Sequence, residues 1–460
     1  MQEMRPVSVN ERIGSYSLGG LTLIVTLFLV ACALTAAPIS LSNPTPAITT
    51  EPTALPPTDE AVVVAFVKDG NIQLWDSGTN QSETIFSGGD VTSVTLSDDG
   101  QVIAFTRRSF FEQPNVWEQS ALWAVDRDGK NPRELVSAET VRKRILPRDG
   151  DSFGAGVLAW VPGTHRLVYN VGRYFLPGQG AFNSPDVYLI DSDTLADTVL
   201  AQGVVPADQV FNSVNIVPSP DGQQLALITG IELSFINADG SNWRKAIFTY
   251  PSAGGSDAGI VMPVGVWAQD SRAFVITGSF ETNPTVGINF TVWRVPVDGS
   301  APESLATVSQ SHPGSVTFSP DGKSLAFIQA DAQHPEKILG WFIAPLTGNV
   351  GPLAIPYDFE GGSSYANLRW SPAGKVYTGN LLELCPNATR DSDVCETPFY
   401  DFSGDIAAIH WIDGTHLLFM TSNPPVLFWG NLDGKAIPIV AWSSQEISHS
   451  FAAVLIPQHK

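Results

Sequence analysis

The chain has 460 residues, more than one ordinary core takes, so several domains or a repeat array is expected. Its composition is 43% apolar, 15% charged and 10% aromatic, which excludes a disordered chain, and 40 Gly with 34 Pro suit short strands and turns rather than a long helical bundle. A net charge of −21 repels phosphate backbones and anionic lipid, so no nucleic-acid partner is expected.

Arg5 and Arg12 precede the apolar run Leu21–Val30, which is followed by Ala31-Cys32. A charged start, a ten-residue apolar run and a small residue before the cut read as a signal peptide over 1–31. The run is shorter than the ~20 residues of a membrane-spanning helix. Leu29-Val30-Ala31-Cys32 resembles the lipobox of bacterial lipoproteins, which implies lipidation of Cys32 and an extracytoplasmic, membrane-anchored protein. Residues 32–60, rich in Pro, Thr and Ala, cannot bury a core and read as an extended tether.

From residue 61 to 457 a strand–turn–strand pattern recurs. Its clearest copies are Ser97-Asp-Asp-Gly-Gln-Val-Ile-Ala-Phe105, Ser219-Pro-Asp-Gly-Gln-Gln-Leu-Ala-Leu227 and Ser319-Pro-Asp-Gly-Lys-Ser-Leu-Ala-Phe327. Weaker copies centre on Gly163, Ser271, Gly374 and Gly414. Pro presets φ for the first turn position, Asp bonds its own backbone and Gly accepts a positive φ. A second turn follows the third strand, as in Asp126-Arg-Asp-Gly129 and Asn237-Ala-Asp-Gly240.

These repeats resemble those of the TolB/tricorn-type β-propellers. The resemblance implies an all-β fold of four-stranded antiparallel blades around a channel. Seven marker turns give seven inner strands. Ala61–Val67, Asn71–Asp76 and Ser82–Phe86 read as three strands of a further blade that lacks its inner strand. The tail Ser448–Ile456 is a spare strand, and pairing the two ends closes a ring of eight blades. Seven is the alternative if the region around Cys385–Tyr400 is an insertion.

Nine of twelve tryptophans occupy recurring positions before the first turn or in the third strand, and are read as packing between blades. Trp117, Trp243 and Trp442 are the exceptions. His165 and His416 both follow Gly-Thr and read as repeat features, whereas His410 and His449 are placed on inner strands. With Cys32 lipidated, Cys385 and Cys395 remain as an even pair, read as a disulfide in an oxidising compartment. No cofactor or metal is expected. No Cys-x-x-Cys or His pair flanks those cysteines, and the Asp-rich turns, such as Asp191-Ser-Asp193, lack calcium-loop spacing.

Blade order puts three long connections on one face. They carry Arg107, Arg108, Phe110, Phe111 and Trp117; Arg142, Lys143, Arg144 and Arg148; and Arg173, Tyr174 and Phe175. Residues 107–173 hold 11 Lys/Arg against 8 Asp/Glu in an otherwise strongly acidic chain. Arg and aromatic side chains dominate binding hot spots, so these residues are the candidate partner site. The competing reading is that the arginines pair with acidic neighbours and only solvate the rim. No Gly-x-Ser-x-Gly elbow or fused hydrolase domain is seen, which leans against an enzyme. The expected function is a lipid-anchored module binding a protein, peptide or glycan of the cell envelope. The alternatives are a hydrolase or lyase acting at the channel mouth, or a structural envelope protein.

Overall fold

A computed structural model describes residues 60–457, apart from stretches of which 110–117, 205–213, 251–262, 356–367 and 386–405 are the longest. The chain divides into Met1–Thr53 and Ala54–Lys460, and the described residues all belong to the second unit. The signal peptide, Cys32 and the tether lie outside the described residues.

Continuous apolar runs, not alternating ones, make the centres of the sheets. Leu225-Ala-Leu-Ile228 is buried along its whole length, as are Val102–Phe105 and Leu325–Ile328. A strand reads this way when both of its faces are covered. Ala104, Ala226 and Ala326 recur at the centre of the repeat with no exposed surface. Outer strands are polar by contrast. Gln81–Phe86 exposes its first four residues.

The described residues fold into antiparallel sheets and one short helix. β1 (Glu60–Lys68), β2 (Asn71–Asp76) and β3 (Gln81–Phe86) lie side by side, and the fourth strand of their sheet is the C-terminal one, Phe451–Pro457. That strand runs antiparallel to β1 from Glu60↔Pro457 to Phe66↔Phe451. β4 (Val91–Leu96), β5 (Val102–Ser109), β6 (Gln119–Asp126) and β7 (Arg133–Val136) form the second meander. Helix α1 (Ala138–Ile145) follows. β8 (Asp151–Trp160) and β9 (Arg166–Phe175) begin the third meander, and β10 (Ala181–Asn183) adds to the end of β9. β11 (Val187–Asp191) and β12 (Asp197–Ala201) complete it. A single parallel pair, Gln119↔Phe153, joins the second and third meanders into one sheet.

Asn215–Pro218 to Arg244–Thr249 make a four-stranded sheet. Gly265–Trp267 to Leu353–Ile355 make an eight-stranded one whose halves meet at Ser311↔Gln329. Leu368–Trp370 to Leu384–Cys385 and Ile406–Trp411 to Ala436–Ala441 supply the last two. Among the described residues each sheet is open at both edges.

The Ser of the repeat has a role that turn rules alone do not give it. Ser219 Oγ donates to Asp221 Oδ1 at 2.6 Å and accepts from Gln224 N at 2.9 Å, while Gln223 N donates to the same carboxylate at 3.1 Å. Ser97 with Asp99 and Ser319 with Asp321 repeat the same set of bonds. The marker residue then turns through the left-handed region, φ 67° to 68° at Gly100, Gly222 and Gly322 and 57° at Ser271.

Apolar clusters lie between neighbouring meanders, whether or not a strand pair joins the two into one sheet. Val63, Ala65 and Val67 of β1 pack with Val94 and Phe105, whereas Val62, Val64 and Phe66 pack with Leu418, Leu427 and Trp429 near the C-terminus. Tryptophans stitch these layers. Trp160 Nε1 donates to Thr95 Oγ1 at 3.0 Å, Trp267 Nε1 to the Val217 carbonyl at 2.8 Å, and Trp370 Nε1 to the Thr317 carbonyl at 3.0 Å. In each case the acceptor belongs to the preceding meander. Trp267→Phe removes one such donor and some buried area, and is expected to cost about 1–2 kcal/mol by urea unfolding.

Trp442, outside the recurring set, does the same for the chain ends. Its indole donates to the Val67 carbonyl at 2.7 Å. Beside it Lys68 Nζ bonds the Ala441 carbonyl at 2.9 Å and Glu446 Oε1 at 2.5 Å, and Glu446 also accepts from Ser443 N at 2.9 Å. Burial alone would raise the Glu446 carboxyl, but Lys68 and the backbone N–H groups of Ser443 and Asp69 hold it below the usual range.

Candidate functional site

The sequence points to the side on which β5 ends. Ser109↔Gln119, Gln119↔Phe153 and Phe153↔Arg173 are successive pairs, so the ends of β5 and β9 and the starts of β6 and β8 lie along one edge. Arg107, Arg108 and Arg173 share that edge, and the backbone of β9 carries Tyr174 and Phe175 there. β10 extends it, pairing Phe182 with Arg173. Phe110, Phe111, Trp117 and Arg148 lie outside the described residues.

Acidic partners engage much of this basic group, as the competing reading expects. Arg107 Nε sits 3.0 and 3.1 Å from the Asp90 carboxylate oxygens, and its guanidinium lies 4.7 Å from the Trp123 ring centroid and 5.4 Å from that of Phe86. A planar cation stacked between two rings and forked to a carboxylate is a positioned group. Arg108 lies 3.6 Å from Glu118, the last residue before β6.

The connection read as a loop over Val141–Arg148 is in part a helix, Ala138–Ile145. Ser137 caps it, its Oγ accepting from Thr140 N at 3.1 Å, with Glu139 in the first turn and Arg142, Lys143 and Arg144 in the last. Those signals are legible in the sequence, and Val141 supplies the buried face. Helical geometry also separates the three cations, because consecutive residues point about 100° apart. Arg142 is exposed and Lys143 makes an exposed pair with Glu139 at 2.7 Å. Arg144 turns inward and leaves the Arg108–Arg173 edge. It meets Asp197 at 2.9 Å and the Tyr169 hydroxyl, with its guanidinium 3.9 Å from the Tyr188 ring centroid. Tyr169 OH donates to Asp197 at 2.7 Å, and burial together with that carboxylate pushes its pKa well up, so it stays a neutral donor. Arg144 is therefore a fastener of α1 to the sheet.

The turn side holds a feature that the repeat pattern conceals. An open cleft of about 940 Å³ runs between β2–β3 and the end of β6, with Asp76, Asp126, Arg127, His165 and Asp193 among its walls. A smaller one of about 420 Å³, walled by Asp98, Asp99, Gly163, Thr164, His165 and Asp193, adjoins it. His165 is shared by both. Its Nδ1 lies 2.8 Å from Asp193 Oδ2 and its Nε2 3.0 Å from Asp99 Oδ2. His416, the other residue of the Gly-Thr-His pattern, bonds Asp413 of its own turn at 2.8 Å and stacks on Trp429. The motif alone cannot tell these apart, because the partners of His165 come from other turns.

His410 is on the strand Ile406–Trp411, and burial lowers its pKa. His449 precedes the C-terminal strand rather than lying on an inner one, against Trp442. The Asp191 turn is a backbone device, its Oδ1 accepting from Asp193 N and Thr194 N at 3.0 and 2.8 Å. Among the described residues no three His, Cys, Asp or Glu gather as metal ligands, and no helix is long and apolar enough to cross a membrane. Cys385 ends the strand Leu384–Cys385, while Cys395 lies outside the described residues.

No family model matches the chain, and no curated protein matches it. Among solved structures it is similar to the β-propeller domain of the Trilobed protease from Pyrococcus furiosus, at 12% identity over 78% of this chain and 98% of that one, TM-score 0.44. It is also similar to an oligogalacturonate lyase in complex with manganese, at 14% identity over 81% and 86%, TM-score 0.42. A putative TolB from Agrobacterium tumefaciens aligns at 17% identity over 56% and 83%, TM-score 0.29. The solved structures similar to this chain thus include TolB-like and other β-propeller proteins.

Proposed function

We propose that the protein is an extracytoplasmic β-propeller of eight blades, closed through β1 and the C-terminal strand and anchored by lipid on Cys32. It binds a protein, peptide or glycan partner of the envelope over the second and third meanders. The observation that carries the reading is the build of the β5–β9 edge. β8 and β9 run ten residues each, β10 adds a further strand, and the arginines of this edge sit in a chain of net charge −21. Strands prolonged beyond the repeat, with Arg107, Arg108 and Arg173 near their ends and Tyr174 and Phe175 next in the chain, suit a docking edge better than a solvated rim.

Co-purification from detergent-solubilised membranes at low and high salt tests it. Arg108→Glu with Arg173→Glu is expected to weaken capture of the bound partner by about 30-fold, the scale of one lost hot spot, with retention falling as salt rises. Unchanged, salt-insensitive capture by the double variant contradicts the site. The anchor is tested separately by Cys32→Ser, expected to abolish fatty-acid labelling and release the protein from membranes.

A further inference from the structure

The Asp99–His165–Asp193 bridge joins three turns from two meanders. Asp99 belongs to the β4–β5 turn, His165 to β8–β9 and Asp193 to β11–β12. The neighbouring Asp98 accepts from Gly163 N at 2.6 Å. Arg133, at the start of β7, bonds the Ser192 carbonyl at 2.6 Å and Asp126 at 2.7 Å, and approaches Asp193 at 3.7 Å. Where the sheet of residues 215–249 meets the one that starts at Gly265, the corresponding turns touch without a histidine. There Asp221 N donates to Ser271 Oγ at 3.2 Å.

We infer that His165 is a pH-operated clamp between the second and third meanders, closed while the imidazole carries both protons and released when it loses one. The chemistry follows from donor count. An imidazolium donates from both nitrogens and can satisfy Asp99 and Asp193 together. A neutral imidazole has one N–H, so one carboxylate then faces a lone pair and that half of the bridge turns repulsive. Because His165 and Asp193 wall both turn-side clefts, release alters the shape of those clefts as well as the contact between meanders.

The surroundings favour the charged form. Asp98 and Asp99 face His165 from β4–β5 and Asp193 from β11–β12, where the Asp191 carboxylate is turned to the Asp193 N–H. Across the larger cleft stand Asp76, Glu83, Asp126 and Asp128, against Arg127, Arg133 beside Asp193, and Arg166 next in the chain. Partial burial alone would lower the imidazole pKa, but the hydrogen bonds to Asp99 and Asp193 outweigh it and raise the pKa. Burial would raise the Asp99 carboxyl, yet Ser97, the Gln101 N–H and His165 hold it below its ordinary value, so the clamp survives mild acid. A folded-state imidazole pKa above the unfolded one stabilises fully below about pH 6.5, and the contribution fades as pH rises through the folded value.

Two measurements on the full chain in detergent test this. Selective ¹³C-histidine NMR, with the His165 signal assigned by its loss in His165→Gln, is expected to give a titration midpoint above about 6.5, and a lower one in Asp99→Asn. Urea midpoints of wild type and His165→Gln are expected to differ near pH 5.5 and converge near pH 8.5. A wild-type His165 midpoint at or below 6.5, or an equal stability difference at both pH values, overturns the clamp. Asp99→Asn alone supplies the assignment and the shift if His165→Gln does not fold.

Discussion

A chain ending at Ser450 is expected to lose its cooperative fold. The missing strand, Phe451–Pro457, makes seven backbone pairs with β1. Without it β1 becomes a sheet edge whose residues Val62, Val63, Val64 and Phe66, now almost wholly covered, flank an open ladder. Phe451 and Leu455 pack towards Trp442, and Val454 and Ile456 towards Val94 and Phe105. At about 1–2 kcal/mol for each of these four side chains, the loss is about 4–8 kcal/mol, comparable with the whole stability of an ordinary domain. Gly100 is lost as a close neighbour too, since a Cβ there would meet Val454 and Ile456 at 2.9 Å. Limited proteolysis and near-UV circular dichroism check the outcome. A synthetic peptide spanning 450–457, added in trans, is expected to restore protection. A truncated chain melting within about 2 °C of the full one contradicts the role given to the terminal strand.

The second large effect is expected at Phe235. This ring is fully buried, stacks on Trp267 with centroids 5.2 Å apart and meets Phe274 edge-on at 6.3 Å. Trp267 and Phe274 belong to the next sheet, so Phe235 fills the space between layers rather than within one. Phe235→Ala leaves a void walled by two other rings and by the Arg244 guanidinium, 5.4 Å from the Phe235 centroid. Rigid rings do not collapse into such a void, so the cost is expected at about 3–5 kcal/mol. Phe235→Leu, which keeps most of the volume, is expected to recover more than half of it. Equal urea midpoints for Phe235→Ala and wild type would show that the inter-sheet layer does not carry the stability.

The repeat is legible because its reasons are local. Pro-Asp-Gly turns and a Leu-Ala-Phe strand state their own conformation within nine residues, and the pairing of β1 with the C-terminal strand follows from counting strands. The role of Ser97, Ser219 and Ser319 is hidden, since a turn rule assigns the bend to Pro, Asp and Gly while the serine works across five residues. Helix α1 escapes a reading that takes its three adjacent cations as a group and not by their helical angles, although its cap and charge gradient are present.

The candidate site is legible only in outline. Sequence places Arg108 and Arg173 near one another through blade order, which strand pairing reproduces at Gln119↔Phe153 and Phe153↔Arg173. It cannot foresee that Arg107 is stacked and forked by Asp90, nor that Arg144 is drawn to Asp197, because those partners lie 17 and 53 residues away. His165 is the largest omission. Its repeat position is shared with His416, and only the arrival of Asp99 and Asp193 from other turns distinguishes it.

Photo-crosslinking in cells tests the proposed partner edge most directly. A benzoylphenylalanine is placed at Ser109, exposed on the β5–β9 edge, and in a second strain at Thr194, exposed on the turn side. A covalent adduct with an envelope partner is expected from position 109, lost when Arg108 and Arg173 are both changed to Glu, and none is expected from position 194. Adducts from 194 alone, or from 109 undiminished by the double change, would contradict the assignment of that edge.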